Sequence, residues 1–333
     1  MKNHRTSLLA KLCSLASAFS IAVITACATP TPSVRVIAFG DSLSDLGTYA
    51  LRTEGKTAGK FTTNPGPIWV EIVAASLGTT ATAYRHAGWG RTEIILGGLV
   101  YAEGGSRVAE QPGSFNTDAT NGVASGQTTM PIREQIAVHQ RRDGFHANDV
   151  VLIWGGPNDL FRHATFAPAP TPEAGEALVR EAARLLADSA REIASTGVSK
   201  VVVLTIDDYG EVPGVRNTPN RTKMSAWSGA FNEELVAGLR GSRALVVDAH
   251  RILRDGRSDP ARFSLKNAAN PACTVQTLPF RSVLFCTEQT LVEPNANSTY
   301  LYADGVHLTS AGHRLIAAAV VQVLQGSGTG GAR

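Results

Sequence analysis

Residues 34–47, VRVIAFGDSLSDLG, change from an apolar run to Gly-Asp-Ser within a few positions. The continuous apolar run is typical of a strand that is buried on both faces of a parallel sheet. Gly, Asp and Ser are common in plain turns, so this stretch fits a strand followed by a turn. Open α/β sheets, however, place their active sites at the carboxyl ends of strands, where Ser42 would lie. Taken alone, the stretch predicts a first central strand and favours a plain turn at Ser42 over a nucleophile, so the rest of the chain must decide between them.

Further apolar, β-branched runs follow along the chain and alternate with helical patterns. The predicted strands after 34–39 lie at 97–102, 149–156, 200–206 and 244–249. The predicted helices lie at 131–142, 172–197, 227–241 and 309–326. This alternation predicts a three-layer α/β/α sandwich around a central, mainly parallel five-stranded sheet. Three segments rich in Gly, Pro, Asn and Thr are predicted to be long loops, which are usually functional or disordered, at 104–129, 155–172 and 255–300.

The N-terminal 27 residues have the pattern of an export signal. A basic start precedes an apolar stretch at 12–26, which is shorter than a comfortable transmembrane helix. A buried N-terminal helix is the alternative, but the polar segment 28–33 follows at once. We therefore expect a signal peptide at 1–27, a spacer at 28–33, a folded domain at 34–328 and a disordered tail at 329–333.

The leader ends in ITAC, at Cys27. This ending is similar to the lipobox of bacterial lipoproteins, in which the cysteine is lipidated and becomes the first mature residue. Ordinary signal cleavage after Ala28 is the competing interpretation, because Ala26 and Ala28 also satisfy the small-x-small pattern. We expect lipidation of Cys27, with membrane association through this anchor in the cell envelope; ordinary cleavage would release the protein to the periplasm or the medium.

The charge balance of the remaining chain excludes an electrostatic nucleic-acid binder. The first 27 residues hold three of the 31 Lys and Arg residues and none of the 28 Asp and Glu residues, so 28 of each sign remain. A neutral chain with no basic run along one face has no general attraction for phosphate backbones. We expect no nucleic-acid partner.

Two cysteines, Cys273 and Cys286, remain after the leader region, with 12 residues between them. In an exported chain such a pair predicts a disulfide, and closing a loop of this size contributes about 3 kcal/mol. Half of a zinc site is the alternative, but neither cysteine has a CxxC partner or a nearby histidine. We expect no metal.

Several residues with catalytic side chains or flexible backbone stand where the predicted strands end or the last helix begins. Carboxyl ends of parallel strands meet at one edge of a sheet, so these residues are expected to converge. Each alone fits a turn, a helix cap or a buried histidine, whereas their joint occurrence in this order indicates a site. They are Ser42, Gly104 and Gly105, Asn158, and Asp304 with His307.

The motifs around these residues are FGDSLSDLG, YAEGGSRV, WGGPNDL and YADGVHLTSAGH. They resemble the four blocks of the GDSL esterases and lipases in the SGNH hydrolase superfamily, in particular the secreted bacterial lipase and lecithinase-like branch. The resemblance covers residues 34–325 and implies the flavodoxin-like α/β/α fold of that superfamily. Pro157 departs from the third block, where a small residue such as Ala is commoner; it leaves the Asn158 side chain available.

The resemblance implies a serine mechanism without metal or organic cofactor. Ser42 would be the nucleophile, His307 the base that takes its proton, and Asp304 the carboxylate that orients the imidazole. The oxyanion hole would consist of the Ser42 and Gly105 backbone N–H groups and the Asn158 amide.

Three neighbouring residues carry weaker expectations. Gly104 is the alternative to Gly105 as oxyanion donor. Asp45 is expected to brace the turn or cap the following helix rather than act in catalysis. His313 lies inside the last predicted helix and is expected to be structural.

The expected activity is hydrolysis of carboxylic esters, of lipid or of short-to-medium acyl chains, by an exported esterase or lipase. An O-deacetylase of acetylated sugars is the alternative that uses the same site. A surface binding protein on a hydrolase fold is a further alternative, which the presence of all the site residues disfavours.

Overall fold

The computed structural model describes residues 33–114, 126–165 and 169–326. The predicted signal peptide, Cys27 and the predicted tail at 329–333 lie outside these residues. The described residues form one compact unit. None of the helices in the described ranges is long and apolar enough to cross a membrane.

A parallel four-stranded sheet forms the centre of the domain, in the order β1 (Arg35–Gly40), β4 (Asp149–Trp154), β5 (Lys200–Leu204) and β6 (Leu245–Val247). Its strands are rich in Val, Ile and Leu, and β1 and β4 are buried along almost their whole length, as expected for strands covered on both faces. Arg35 pairs with Asp149 and Gly40 with Trp154, which sets the register of these two strands. The strands of the described residues are β1 (Arg35–Gly40), β2 (Arg85–His86), β3 (Ile94–Ile95), β4 (Asp149–Trp154), β5 (Lys200–Leu204), β6 (Leu245–Val247), β7 (Asn267–Pro271) and β8 (Tyr300–Tyr302).

The fifth predicted strand, at 97–102, lies beside β1 but lacks regular strand geometry. The Ala38 N–H donates to the Leu99 carbonyl at 3.0 Å, and the Tyr101 N–H donates to the Ala38 carbonyl at 2.8 Å. Val100 forms only isolated parallel bridges, to Ala38 and Ala83. The chain turns at Gly97, where φ is +81°, so the paired stretch is short. The sheet thus has four regular strands and an irregular fifth segment.

Helices cover both faces of the sheet, which gives the three-layer sandwich. Helix α1 (Trp69–Ser76) packs on α8 (Ser310–Leu324), and α6 (Ala249–Ser258) also contacts α8. Helix α4 (Pro172–Ser195) packs on α5 (Arg221–Leu239) and contacts α2 (Ile132–Arg142) and α3 (Pro157–Thr165). The α-helices of the described residues are α1 (Trp69–Ser76), α2 (Ile132–Arg142), α3 (Pro157–Thr165), α4 (Pro172–Ser195), α5 (Arg221–Leu239), α6 (Ala249–Ser258), α7 (Ala296–Thr299) and α8 (Ser310–Leu324). The predicted helices are present, although α5 begins six residues before the predicted position.

Two of the predicted long loops contain regular structure. The segment 155–172 was predicted to be a loop, but it contains α3, whose first residue is Pro157. Proline is favourable at the first helical position because its missing N–H has no partner there. The segment 255–300 contains β7, α7 and several 3-10 turns, and β7 pairs in parallel with β8 outside the central sheet. Part of the third segment, 115–125, lies outside the described residues.

A separate apolar cluster lies beside the central core, and we call it the disulfide cluster. Cys273 and Cys286 are joined by a disulfide within it. Its residues are Tyr49, Phe61, Cys273, Leu278, Val283, Leu284, Phe285, Cys286 and Ala303. Because Ala303 immediately precedes Asp304, this cluster reaches the edge of the sheet where the predicted site residues lie.

Candidate active site

The nucleophile candidate lies immediately beyond the carboxyl end of β1. Gly40 ends the strand next to Trp154 of β4, and a Cβ atom there would lie only 2.2 Å from the Trp154 carbonyl oxygen, so the close approach requires glycine. Asp41 then turns the chain: its carboxylate accepts from the Leu43 N–H at 3.1 Å, and its carbonyl accepts from the Ser44 N–H at 3.0 Å. The turn leaves Ser42 half-buried at the strand end.

His307 and Asp304 lie on one short loop after β8, and this loop reaches Ser42. The distance from His307 Nε2 to Ser42 Oγ is 2.9 Å, and His307 Nδ1 lies 2.8 Å from Asp304 Oδ2. The other oxygen of Asp304 accepts from the backbone N–H groups of Val306 and His307 at 2.8 and 2.7 Å. The loop is closed by the Ala303 N–H, which donates to the His307 carbonyl at 2.7 Å.

Asp45 links the turn around Ser42 to the glycine pair Gly104 and Gly105. Its Oδ1 accepts from the N–H groups of Gly47 and Thr48, and its Oδ2 accepts from the Gly104 N–H at 2.8 Å. Asp45 therefore braces the turn, one of the two roles expected for it. A Cβ atom on Gly104 would lie 2.2 Å from the Phe61 ring, so the packing there excludes any side chain.

Asp159 links the third motif, WGGPNDL, to the second motif, YAEGGSRV. Asn158 and Asp159 lie in the first turn of α3, directly after the end of β4. The buried Asp159 carboxylate accepts from the Val108 N–H at 3.0 Å and from Arg107 Nε at 3.2 Å. Asp45 and Asp159 thus hold the first and third motifs to the second, which fixes Gly105 and Asn158 relative to Ser42.

A cleft of about 460 Å³, including its open mouth, joins these residues. Ser42, Gly105, Asn158 and His307 all line it, whereas Asp304 lies behind His307. Most of the remaining wall is apolar. Asp41 and Gln127 are its polar members, and the apolar and aromatic members are Leu43, Phe61, Pro157, Phe161, Tyr209 and Val306.

The carboxylates around the cleft have shifted pKa values. Burial raises the pKa of Asp41 to about 7, although the Leu43 N–H and nearby His307 oppose the shift. Burial likewise raises the pKa of Asp45 to about 7, against three backbone donors. For Asp304 burial acts in the same direction, but His307 and the two backbone N–H groups outweigh it and lower the pKa. Asp304 is therefore held as a carboxylate beside the imidazole.

Residues 36–320 match the model of the family described as GDSL-like Lipase/Acylhydrolase. The chain belongs to this family. This is the family that the four sequence motifs predict.

Curated relatives of this GDSL acylhydrolase include esterases. The chain is 27% identical over 314 residues to Esterase EstA of Pseudomonas aeruginosa, which covers 87% of the chain and 46% of the relative. It is 22% identical over 262 residues to a phosphatidylcholine-sterol acyltransferase of Aeromonas hydrophila, which covers 72% of the chain and 65% of that protein. The chain thus spans about half the length of the Pseudomonas esterase.

Two solved structures match most of the chain at low sequence identity and low TM-score. A member of the lipolytic protein G-D-S-L family from Veillonella parvula covers 87% of the chain, and the chain covers 98% of it, at 14% identity and a TM-score of 0.42. An acetylxylan esterase from Geobacillus stearothermophilus covers 87%, with 94% of that protein covered, at 15% identity and a TM-score of 0.39.

Some residues of the GDSL acylhydrolase site have no clear local signal in the sequence. Phe61 lies 5.1 Å from His307 between ring centroids, and Tyr209 packs edge-on against Phe161 at 5.4 Å. Phe61 and Tyr209 come from segments without a catalytic motif, whereas Phe161 directly follows the third motif. Their only sequence signal is their position after the strands or close to a motif. His313 is fully buried in α8, and this agrees with its expected structural role.

Proposed function

We propose that the chain is an exported serine esterase or lipase that hydrolyses carboxylic esters through an acyl-enzyme. The single observation that carries the proposal is the hydrogen-bonded line from Asp304 through His307 to Ser42 at a cleft. A serine hydroxyl is a weak nucleophile unless a base takes its proton, and this line supplies both the base and its orienting carboxylate.

In the first half of the reaction, Ser42 Oγ attacks the ester carbonyl carbon while its proton passes to His307 Nε2. The tetrahedral intermediate collapses as the bond to the alcohol oxygen breaks, and His307 returns the proton to that oxygen. In the second half, water attacks the acyl carbon of the acyl-enzyme and loses a proton to His307. This intermediate collapses as the bond to Ser42 Oγ breaks, and His307 returns the proton to Ser42 Oγ, which releases the carboxylic acid. Asp304 stabilises the imidazolium in both halves.

The negative charge of each intermediate would lie on the former carbonyl oxygen. We assign its donors to the backbone N–H groups of Ser42 and Gly105 and to the Asn158 side-chain amide. The hydrogen bond between the Gly104 N–H and Asp45 favours Gly105 over Gly104, because the Gly104 donor is already engaged. Gly105 also lines the cleft.

The apolar wall of the cleft favours an ester with an aliphatic acyl group. Phe61, Phe161 and Val306 offer apolar surface beside the reacting atoms, and such surface gains free energy from burying methylene groups. The similarity to a phosphatidylcholine-sterol acyltransferase supports a lipid ester in particular. Deacetylation of sugars is the alternative, and a substrate panel separates the two.

The panel compares p-nitrophenyl esters of increasing chain length, phosphatidylcholine and acetylated xylan, with a fluorophosphonate as a covalent label for Ser42. We expect labelling and faster hydrolysis of aliphatic esters than of acetylated xylan. Preference for the xylan would instead identify a deacetylase. Absence of both labelling and hydrolysis would leave a binding protein and refute the esterase.

We also propose export with lipidation of Cys27. Six residues, 28–33, would then join the anchor to the domain and span at most about 20 Å when extended. So short a tether would keep the enzyme near lipid headgroups. Expression in a bacterial host and mass spectrometry of the mature N-terminus test this. A free N-terminus at Thr29 on a soluble protein would contradict the anchor and leave the esterase assignment intact.

A further inference from the structure

A buried ionic cluster lies behind the loop that carries the catalytic base. Arg257 of α6 donates through Nη1 to Asp207 Oδ1 and Oδ2 at 2.8 and 2.6 Å, and to the Tyr302 hydroxyl at 2.5 Å. The Tyr302 hydroxyl in turn donates to Asp207 Oδ2 at 3.0 Å. Asp207 is 3% exposed and Tyr302 is fully buried. The proposed chemistry uses none of these three side chains.

A cluster of this kind is poorly explained by stability alone. Removing an arginine and an aspartate from water is costly, and their mutual attraction in the interior often does no more than offset that cost. In some proteins such partners instead fix the relative position of two elements, since displacement of either one leaves an unpaired buried charge. The useful question is therefore which two parts of the molecule this cluster holds together.

The cluster joins the central sheet to the loop Asp304–His307, which we call the base loop. Asp207 lies three residues beyond the end of β5, whereas Tyr302 is the last residue of β8, two residues before Asp304. Strand β8 pairs with β7 and not with the central sheet that carries Ser42. The hydrogen bond from Tyr302 to Asp207 is therefore a direct tie between the two parts of the site.

A backbone hydrogen bond also ties the segment after β5 to the base loop. The Gly214 N–H, from the segment after β5, donates to the Gly305 carbonyl at 2.8 Å. A Cβ atom on Gly214 would lie 3.0 Å from that oxygen, so the two backbones are in close contact. The base loop is closed on itself by its own hydrogen bonds, and such a closed unit can be oriented by holding its ends.

We propose that Asp207, Arg257 and Tyr302 are positioning residues that set the Asp304–His307 loop against Ser42. This inference rests on the proposed serine mechanism. It predicts that disturbing the cluster lowers kcat through misplacement of the base, while substrate binding in the cleft is kept.

The chain contains a matched control at the opposite end of the sheet. Arg35 of β1 donates to Asp149 of β4 through Nε at 2.7 Å and Nη2 at 2.9 Å, and Asp149 is fully buried. This pair has the same chemistry but lies where the strands begin, away from the cleft. Arg35→Gln therefore measures the loss of a largely buried ion pair without disturbance of the base loop.

The test compares Arg257→Gln with Arg35→Gln in the full chain. For each variant, kcat and KM are measured on one aliphatic p-nitrophenyl ester, and the free energy of unfolding is measured by urea unfolding. We expect both to lose stability. Arg257→Gln should also lower kcat by on the order of 10- to 100-fold, with KM within about twofold and slower fluorophosphonate labelling. Arg35→Gln should keep kcat within about twofold.

A milder variant keeps the test decisive if Arg257→Gln does not fold. Tyr302→Phe removes only the hydroxyl, so we expect a smaller fall in kcat at unchanged KM, and Arg257→Lys should recover part of the Arg257→Gln loss. If kcat is unchanged in Tyr302→Phe and in any folded Arg257 variant, or falls equally in Arg35→Gln, the positioning role is refuted. Activity retained in Ser42→Ala would instead refute the serine mechanism, which separates the two failures.

Discussion

The two halves of the site are supported by different parts of the molecule. Ser42 follows β1, which pairs with β4 in the central sheet and is surrounded by the main core. Asp304 and His307 follow β8, which belongs to a small sheet with β7 and borders the disulfide cluster. The Cys273 N–H donates to the Ala303 carbonyl at 2.9 Å, and the Asn64 N–H donates to the Cys286 carbonyl at 2.8 Å.

This difference shows how two kinds of support can produce one geometry. In the nucleophile half, around Ser42, Asp41 and Asp45 bond to residues within the same turn, and Asp45 makes one further bond to the distant Gly104 N–H. The base half depends on partners that are distant along the chain, such as Asp207 and the disulfide. Changes to the first half should therefore affect chemistry directly, and changes to the second should affect chemistry through position and stability.

The largest effect is expected from removal of either reacting side chain. Ser42→Ala and His307→Ala should each lower kcat by at least about 10⁴-fold, and the double variant should be no worse, because the two groups act as one unit. Ser42→Ala should also abolish fluorophosphonate labelling with little change in thermal stability. Steady-state kinetics on the three variants would test this. Additive losses would contradict a shared mechanism.

Asn158→Ala removes a donor that neither half contains. We expect kcat to fall by about 100- to 1000-fold with a modest change in KM, because the amide acts on the charge that develops in the transition state. Kinetics on one ester measure both constants. A change confined to KM would make Asn158 a substrate-binding residue.

The disulfide tests the support of the base half. Replacing both Cys273 and Cys286 by Ala should lower the free energy of unfolding by about 3 kcal/mol, as expected for opening a loop with a sequence separation of 13. Urea unfolding measures this loss, with Ser42→Ala as the comparison that leaves the base half intact. Alkylation under denaturing, non-reducing conditions should find no free thiol at either position in the exported protein; two free thiols would contradict the prediction.

The free energy of unfolding should change with pH in opposite directions for Asp41 in the nucleophile half and Asp304 in the base half. The folded state raises the pKa of Asp41 from its ordinary 3.8 to about 7, so the folded state binds more protons than the unfolded state between these values. The free energy of unfolding should therefore fall as the pH rises through this window, by up to about 1.4 kcal/mol per pH unit from this group. Asp304 has a lowered pKa, so its contribution is lost on acidification below about pH 4.

Asp41→Asn keeps an acceptor for the Leu43 N–H and cannot titrate. Urea unfolding from pH 4 to 8 should show a shallower slope in this variant and a gain in stability above pH 7. Asp304→Asn is the matched comparison and should leave the slope between pH 4 and 7 unchanged. An unchanged slope in Asp41→Asn would contradict the raised pKa.

The sequence predicts the central sheet and the site motifs because their signals are local. Apolar, β-branched runs mark the four regular strands, and Gly197, with φ at +91°, lies just beyond α4 as a helix stop. Ser42, Asn158 and His307 each lie in a short motif. The structure brings these three together at the predicted edge.

The remaining features depend on contacts that no local pattern encodes. Helix α3 is short and begins at Pro157 within Gly-Gly-Pro-Asn, a composition that is typical of a turn. Strand β7 has the sequence NAANP, without an apolar run, and exists because it pairs with β8. Asp207 and Arg257 are 50 residues apart, so only the fold brings them together.

Strand β1 also determines the direction from which the enzyme can be attached. Arg35 and Gly40 are its two ends, about 17 Å apart at the usual rise per residue. The chain joins the strand at Arg35, and Ser42 lies just beyond the other end. A resin, a reporter domain or a lipid linked ahead of Ser33 is therefore coupled at the far end of this strand, which makes the N-terminus the suitable point for oriented immobilisation of the catalyst.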